Sequence, residues 1–187
     1  GFIYQMDKYV WENACILLRH WIDEGKMPLP LSVNVSRKDI LHDDFLDTLT
    51  SLLEKYQIST ELLRVEITES AFADVEGKVT EKVNELIHRG YIVEIDDFGS
   101  GYSSLNTLKD VPASVLKLDM RFFEDTKNAD RAGNIIESVV RMAKWLDMEV
   151  IAEGVEERSQ ADFLKSIGCY YIQGYYYAKP MPIKDFE

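Results

Sequence analysis

Two patterns of hydrophobic positions take turns along the first half of the chain. Apolar residues recur every three or four positions, as in an amphipathic helix, at 10–21, 45–53 and 79–87. Apolar and polar residues alternate, as in a half-buried strand, at 31–36, 63–68 and 91–96. The first helix should end near Gly25 and the third at Gly90, because glycine readily adopts the left-handed conformation that closes helices.

The second half of the chain continues this alternation of strand and helix. Further strands are predicted at 115–118, 149–152 and 170–173. Helical spacing returns at 135–143 and around Phe163 and Leu164. Strands separated by helix-length segments need parallel crossover connections, so the pattern predicts an α/β fold. A doubly wound open sheet and a closed barrel both satisfy it.

Polar residues at the strand ends favour the barrel. Each predicted strand carries one in or just after its C-terminal end: Asn34, Glu66, Asp96 with Asp97, Lys117, Glu153 and Gln173. An open sheet draws its site from a few strands at one switch point, whereas a barrel gathers residues from nearly all strand ends. The sequence also lacks the glycine-rich loop of a nucleotide-binding oxidoreductase. We therefore predict a TIM-type (β/α) barrel with these side chains around one cavity.

The number of strands predicts an incomplete barrel. A closed barrel of this type has eight strands in about 250 residues, and six strands are predicted here in 187 residues. Because the chain begins almost directly with a helix, we expect about two strands to precede residue 1. Residues 1–187 are interpreted as one domain that is incomplete at its N-terminus.

Charge and cysteine content narrow the function classes. Twenty-one basic against 33 acidic residues give a net charge of −12, which argues against binding a DNA or RNA polymer through a cationic groove. An anionic ligand would need metal cations, although acidity alone also serves solubility. The two cysteines form no CxxC pair, and the sequence contains neither a leader nor an apolar run near the roughly 20 residues that span a bilayer. We expect a soluble cytoplasmic domain, which absent segments could tether to a membrane.

The candidate ligands are all oxygen donors. Glu66, Asp96, Asp97, Glu153 and the amide of Asn34 suit hard divalent ions such as Mg²⁺ or Mn²⁺ better than zinc. The adjacent Asp96 and Asp97 could bridge two such ions, as in phosphodiester displacement. A single acid at a strand end can instead cap the following helix. Six polar strand ends together make that reading improbable.

Lys117 is the candidate cation of the site. It alternates with Leu116 and Leu118 and is therefore expected to face the barrel interior, where it would hold a water or neutralise charge on phosphate. Glu69 could anchor the glycine-containing loop at 98–104, or serve a helix cap. The run 173–180 offers an amide among aromatic residues, which suits purine recognition, although such clusters are more often core.

Six short motifs together resemble one known family, the EAL domains. In order they are Val33-Asn-Val-Ser36, Glu66-Ile-Thr-Glu-Ser70, Asp96-Asp-Phe-Gly-Ser-Gly-Tyr-Ser-Ser-Leu105, Leu116-Lys-Leu-Asp119, Ala152-Glu-Gly-Val-Glu156 and Gln173-Gly-Tyr175. The resemblance covers essentially the whole chain, and six motifs in sequence are far more specific than one. It implies a modified barrel with one antiparallel strand that uses two Mg²⁺ or Mn²⁺ ions. The implied reaction opens one phosphodiester of cyclic di-GMP to give linear pGpG in bacterial second-messenger signalling.

The same resemblance implies roles for individual residues. Metal ligands would be Asn34, Glu66, Asp96, Asp97 and Glu153; catalytic residues would be Lys117, Glu153 and Asp97; substrate would contact Gln173, Gly174 and Tyr175. Lys117 would position the catalytic water. Glu69 would hold the loop after Asp97, through which a homodimer could form. The full-length protein could carry an attached cyclase or sensor domain.

One family feature is missing from this sequence. The Glu-Ala-Leu tripeptide and its nearby substrate-binding arginine do not occur before the first helix. We expect a truncated enzyme domain that is weakly active or inactive by itself, because a decayed enzyme would have lost other motifs too. The alternative is an inactive module that binds cyclic di-GMP or a protein partner, and the sequence upstream of Gly1 distinguishes the two.

Overall fold

A computed structural model describes residues 2–73, 77–99, 108–111, 113–120 and 129–187. The chain divides into two compact units, one of Gly1–Asp96 with Gly101–Ser114, the other of Asp97–Ser100 with Val115–Glu187. No helix among the described residues is both long and apolar enough to cross a membrane. The single domain 1–187 stays a prediction.

Helices and parallel strands alternate through the first unit. In chain order they are α1 (Phe2–Asp23), β1 (Leu31–Asn34), α2 (Arg37–Ile40), α3 (Phe45–Tyr56), β2 (Leu63–Thr68), α4 (Lys78–His88) and β3 (Val93–Phe98). Short 3₁₀ turns at Thr60–Leu62 and Glu69–Phe72 flank β2. Strand β2 pairs in parallel with both β1 and β3.

Alternation along the strands builds the core of this unit. On β2, Leu63, Val65 and Ile67 are fully buried, as is Val93 on β3, while the residues between them lie on the opposite face. Helix α1 buries a stripe that includes Trp11. The polar side chains of β2 and β3 therefore share one face of the sheet.

The second unit repeats the arrangement on a smaller scale. Its elements are β4 (Val115–Asp119), α5 (Ala129–Trp145), β5 (Glu149–Glu153), α6 (Arg158–Ser166), β6 (Tyr171–Ile172) and the short α7 (Ile183–Phe186). Strand β5 pairs in parallel with β4 and with β6. Val140 and Ala143 of α5, Ala152 of β5 and Leu164 of α6 are completely buried.

All six strands predicted from the sequence are present, and all but the second have shifted ends. The third begins at Val93 rather than Tyr91, because the Tyr91 N–H bonds Leu86 O and thus closes α4 instead of joining the ladder. Gly90 adopts φ +87° beyond the end of α4, as predicted. The sixth strand shortens to two residues, although Gln173 N still donates to Ala152 O at 2.8 Å.

Candidate functional site

In the first unit, three predicted site residues lie at the C-terminal ends of neighbouring strands. Asn34 ends β1 directly opposite Glu66 in the parallel register, and Asp96 stands opposite Thr68, two residues beyond Glu66. Because residues two apart on a strand share a face, all three side chains belong to the same face. The register thus places the three residues on one face, and their role as site residues stays a prediction.

The end of β1 is fixed by a residue that the sequence did not single out. Trp11 of α1 is fully buried, and its indole Nε1 donates to Asn34 O at 3.1 Å. The Trp11 ring packs edge-on against Phe45, with 5.7 Å between centroids. A buried indole N–H needs a hydrogen-bond acceptor, so the sequence could have indicated that Trp11 binds some acceptor. Its particular partner depends on how α1 packs on β1.

An open cleft of about 500 Å³ adjoins this strand edge. Its polar lining comes from the ends of β1 and β2 and from the start of α2: Asn34, Ser36, Arg37, Lys38, Thr68 and Ser70. Arg37 and Lys38 bring two positive charges to its rim. The rest of the lining is apolar and includes Ile3, Val35 and Ala71, so the cleft is a mainly apolar surface with these polar groups beside the strand ends.

Glu69 is only 3% exposed and opens the 3₁₀ turn after β2. Thr68 occupies the N-cap position of that turn, and its side chain makes no capping hydrogen bond. The alternative interpretation of this segment as a helix cap is therefore not supported at Thr68. The predicted partner of Glu69, the loop after Asp97, lies outside the described residues from position 100 onward. The anchoring role stays a prediction.

In the second unit, an ion pair between a buried lysine and a part-buried glutamate joins two predicted catalytic residues. Lys117 is 5% exposed, and its Nζ lies 2.7 Å from Glu153 Oε1. The two residues come from the paired strands β4 and β5, in which Lys117 stands opposite Ile151 and Asp119 stands opposite Glu153. The contact holds the Lys117 ammonium at a defined distance from the Glu153 carboxylate.

Asp97 adopts an unusual backbone conformation. Its φ of 54° is in the left-handed region, which costs a non-glycine residue roughly 1 kcal/mol or more and often marks functional positions. Asp97 is the second-last residue of β3, so this conformation interrupts the regular backbone at the C-terminal end of the strand. Asp96 and Asp97, though adjacent in sequence, therefore need not follow the simple alternation of a strand.

The proposed substrate segment follows β6. Gly174 lies so close to the neighbouring backbone that an added Cβ would lie 2.1 Å from Val155 O. Tyr175 is 56% exposed, with Lys179 Nζ 5.5 Å from its ring centroid. Glycine is thus required for close packing at 174, while the aromatic ring at 175 remains accessible. Tyr176 and Tyr177 are exposed as well, which argues against the alternative that this aromatic cluster belongs to the core.

The candidate ligands have the chemical character that a divalent metal ion requires, but the described residues do not form a complete coordination site. Asn34, Glu66 and Asp96 offer oxygen donors only, as Mg²⁺ and Mn²⁺ prefer. Within the described ranges, however, no three or more His, Cys, Asp or Glu side chains converge closely enough to hold an ion. The arrangement of all six strand-end residues around one cavity stays a prediction.

Comparisons with known proteins agree on one family. The model of the EAL domain matches residues 1–180. The signaling protein YkoW of Bacillus subtilis (strain 168) is 35% identical over 187 residues, which is all of this chain and 23% of that protein. The bifunctional diguanylate cyclase/cyclic di-GMP phosphodiesterase MucR of Pseudomonas aeruginosa is 34% identical over 186 residues, 99% of this chain and 27% of that protein. The chain thus spans about a quarter of the length of these relatives.

Solved structures give the same answer for the fold. A PaMucR phosphodiesterase in complex with c-di-GMP superposes with a TM-score of 0.92 at 32% identity, covering all of this chain and 76% of that one. The EAL domain of Mycobacterium smegmatis DcpA gives a TM-score of 0.87 at 28% identity, over 96% of this chain and 81% of that one. The predicted α/β fold of the modified TIM-type barrel is confirmed.

Proposed function

This chain belongs to the EAL domain family, and from that premise we propose that it is the phosphodiesterase domain of a protein that hydrolyses cyclic di-GMP, and that it is weakly active or inactive by itself. The proposed reaction opens one of the two phosphodiester bonds and releases linear pGpG, which ends a bacterial second-messenger signal. The observation that carries the proposal is the row of oxygen side chains, Asn34, Glu66 and Asp96, on one face at three neighbouring strand ends. Such a row suits hard divalent cations, which phosphodiester chemistry uses.

We propose Mg²⁺ or Mn²⁺ as the cofactor, with two ions in the complete site. Asn34, Glu66, Asp96 and Glu153 are the proposed ligands of the first ion, and Asp97 serves the second. When bound, these ions polarise the phosphodiester and neutralise its negative charge. The chain's net charge of −12 supports this need, because an anionic dinucleotide would otherwise be repelled.

Lys117 has the proposed task of orienting the attacking water. Its ammonium group is fixed by the 2.7 Å contact with Glu153 and is largely shielded from solvent. A fixed cation in such surroundings can hold a water by hydrogen bonding, or offset the charge that develops on the phosphate oxygens. Either role requires a charged Nζ at a defined place, which the ion pair supplies.

Recognition of the guanine base is assigned to the segment after β6. The Gln173 main chain is tied to β5 through the bond from its N–H to Ala152 O at 2.8 Å, so its side-chain amide starts from a fixed position. Amides can pair with a base edge, and exposed aromatic rings such as Tyr175 can stack on a base. Gly174 lets the backbone pass close to Val155.

The setting of the domain follows the same reasoning. MucR carries a diguanylate cyclase as well as a phosphodiesterase activity by name, and we propose that the natural protein containing this chain also has a cyclase or sensor domain. Glu69 is proposed to anchor the loop after Asp97, and that loop to mediate a homodimer. Both cysteines are free and buried, which suits the reducing cytoplasm proposed as the site of action.

The experiment that tests the function separates an enzyme from a receptor. The natural protein that contains this chain is incubated with cyclic di-GMP and Mn²⁺, or with EDTA, and both binding and pGpG formation are measured. We expect metal-dependent product. Tight binding without product would instead support the inactive recognition module.

A further inference from the structure

A second charged pair lies on the strand face that carries Glu66 and Asp96. Arg64 precedes Glu66 by two residues on β2, and Glu94 precedes Asp96 by two residues on β3. In the parallel register Glu94 stands directly opposite Glu66. Because residues two apart share a face, Arg64 lies on this face two residues before Glu66, and Glu94 is the direct neighbour of Glu66 on the paired strand.

Glu94 is buried, Arg64 is part-buried, and the pair is incompletely satisfied. Glu94 is fully buried, and its Oε1 accepts a hydrogen bond from Arg64 Nη1 at 3.1 Å. Its second oxygen, Oε2, and Arg64 Nε are buried without a hydrogen-bond partner among the described residues. Buried ion pairs of this kind contribute little to stability and are often less stable than well-packed apolar residues. Stability alone therefore does not account for the pair.

The charges on this face indicate a role for the Arg64–Glu94 pair. Glu66, Glu94 and Asp96 bring three negative charges to neighbouring positions on β2 and β3, against the single positive charge of Arg64. The Cα atoms of Arg64 and Glu66 are about 6.6 Å apart along the strand, which a flexible guanidinium side chain can span. Without a fixed partner, the Arg64 cation could bind the Glu66 carboxylate and compete with a metal ion for it.

We propose that Glu94 is a positioning residue for the metal site. By binding the guanidinium of Arg64 through its own carboxylate, Glu94 keeps that cation from pairing with the neighbouring Glu66 carboxylate. The inference rests on the proposed function, because it assumes that Glu66 binds a divalent ion. It adds two residues, Arg64 and Glu94, that the sequence motifs do not contain.

Calorimetric titration with Mn²⁺ alone tests the positioning role without measuring turnover. The parent protein is the natural protein that contains this chain. The Glu94→Gln variant keeps the size of the side chain but releases Arg64, and its Mn²⁺ dissociation constant should rise on the order of tenfold, as for other residues behind metal ligands. The double variant Glu94→Gln/Arg64→Met removes the competing cation as well. Its dissociation constant should return close to that of the parent protein.

Two controls separate positioning from general damage. Glu85→Gln breaks an exposed pair, Glu85 with Arg89 at 2.8 Å, and should leave Mn²⁺ affinity unchanged. Glu94→Asp keeps the charge but shortens its reach, so its affinity should fall between those of the parent and Glu94→Gln. The Asp variant and the double variant also serve if Glu94→Gln alone does not fold.

The outcomes are distinct. Parent-like Mn²⁺ affinity in Glu94→Gln, or affinity in the double variant as weak as in Glu94→Gln, overturns the positioning role while leaving the proposed function intact. A parent protein that binds no Mn²⁺ overturns the metal-dependent function and this inference with it. Weaker Mn²⁺ binding in Glu94→Gln, with recovery in the double variant, supports both the positioning role of Glu94 and the metal-dependent function.

Discussion

At the scale of single residues, the Lys117–Glu153 ion pair allows a direct test of how charge affects stability. Lys117→Ala leaves Glu153 as a part-buried carboxylate without its 2.7 Å partner. Breaking a buried pair in this way typically costs about 3–5 kcal/mol, whereas replacing both partners by neutral groups costs less. We therefore expect Lys117→Met/Glu153→Gln to recover part of the stability that Lys117→Ala loses. Urea unfolding of the two variants checks this, and equal or greater loss in the double variant contradicts it.

Cys15 offers a residue-scale test that does not depend on the proposed function. Burial raises the pKa of its thiol to about 11, with Glu12 adding to the effect. Because a raised pKa favours the neutral thiol in the folded state, this contribution to stability is complete below the unfolded pKa and is lost as the pH rises toward 11. At pH 8 the native thiol should react with a disulfide reagent far more slowly than the unfolded chain. Comparable native and unfolded rates would contradict the burial of Cys15.

Several residue-scale features could be predicted from the sequence because local chemistry determines them. The strand ends at Asn34, Glu66 and Asp96 follow from alternation, and the left-handed Gly90 follows from helix termination. The hydrogen bond from Trp11 to Asn34 could not be predicted, because it depends on how α1 packs against β1. The Arg64–Glu94 pair was missed for the same reason, since only the parallel register brings those residues together.

At the scale of elements, α1 carries apolar residues on two faces with different roles. Its inward face buries Trp11, Cys15 and Leu18, while Ile16 remains 46% exposed. Leu18→Ala should therefore destabilise the protein by about 2–5 kcal/mol, and Ile16→Ala by much less. Denaturant unfolding of the two variants gives the comparison. Equal losses would mean that the two faces of α1 are equally packed.

Helix α2 is too short to be predicted from the periodicity of hydrophobic residues. Its four residues are too few to show a helical repeat, and the sequence pattern did not predict it. A capping box forms the helix instead, with Asp39 N donating to Ser36 Oγ at 3.3 Å and Ser36 N donating to Asp39 Oδ2 at 2.9 Å. By contrast, β2 spans Leu63–Thr68 as predicted, because six alternating residues define both its faces and its length.

At the scale of the whole molecule, the proposed metal chemistry predicts a stability linkage. Carboxylates on one face repel one another, so a cation that binds only the folded state should raise the melting temperature by mass action. At a Mn²⁺ concentration 100 times its dissociation constant, the gain is about 2.7 kcal/mol. Thermal unfolding with Mn²⁺ and with EDTA measures it. Glu66→Gln should abolish most of the difference, and an unchanged shift in that variant would exclude Glu66 as a ligand.

The central claim is that these residues support metal-dependent opening of cyclic di-GMP. The most direct measurement is the rate of pGpG formation, by chromatography, in the natural protein that contains this chain and in its Glu66→Gln and Lys117→Ala variants. With Mg²⁺ or Mn²⁺ we expect product from the parent protein, none in EDTA, and a fall on the order of 100-fold in each variant. The exposed Glu85→Gln variant should match the parent. Parent-like rates in Glu66→Gln or Lys117→Ala, or product formation that is unaffected by EDTA, would contradict the account.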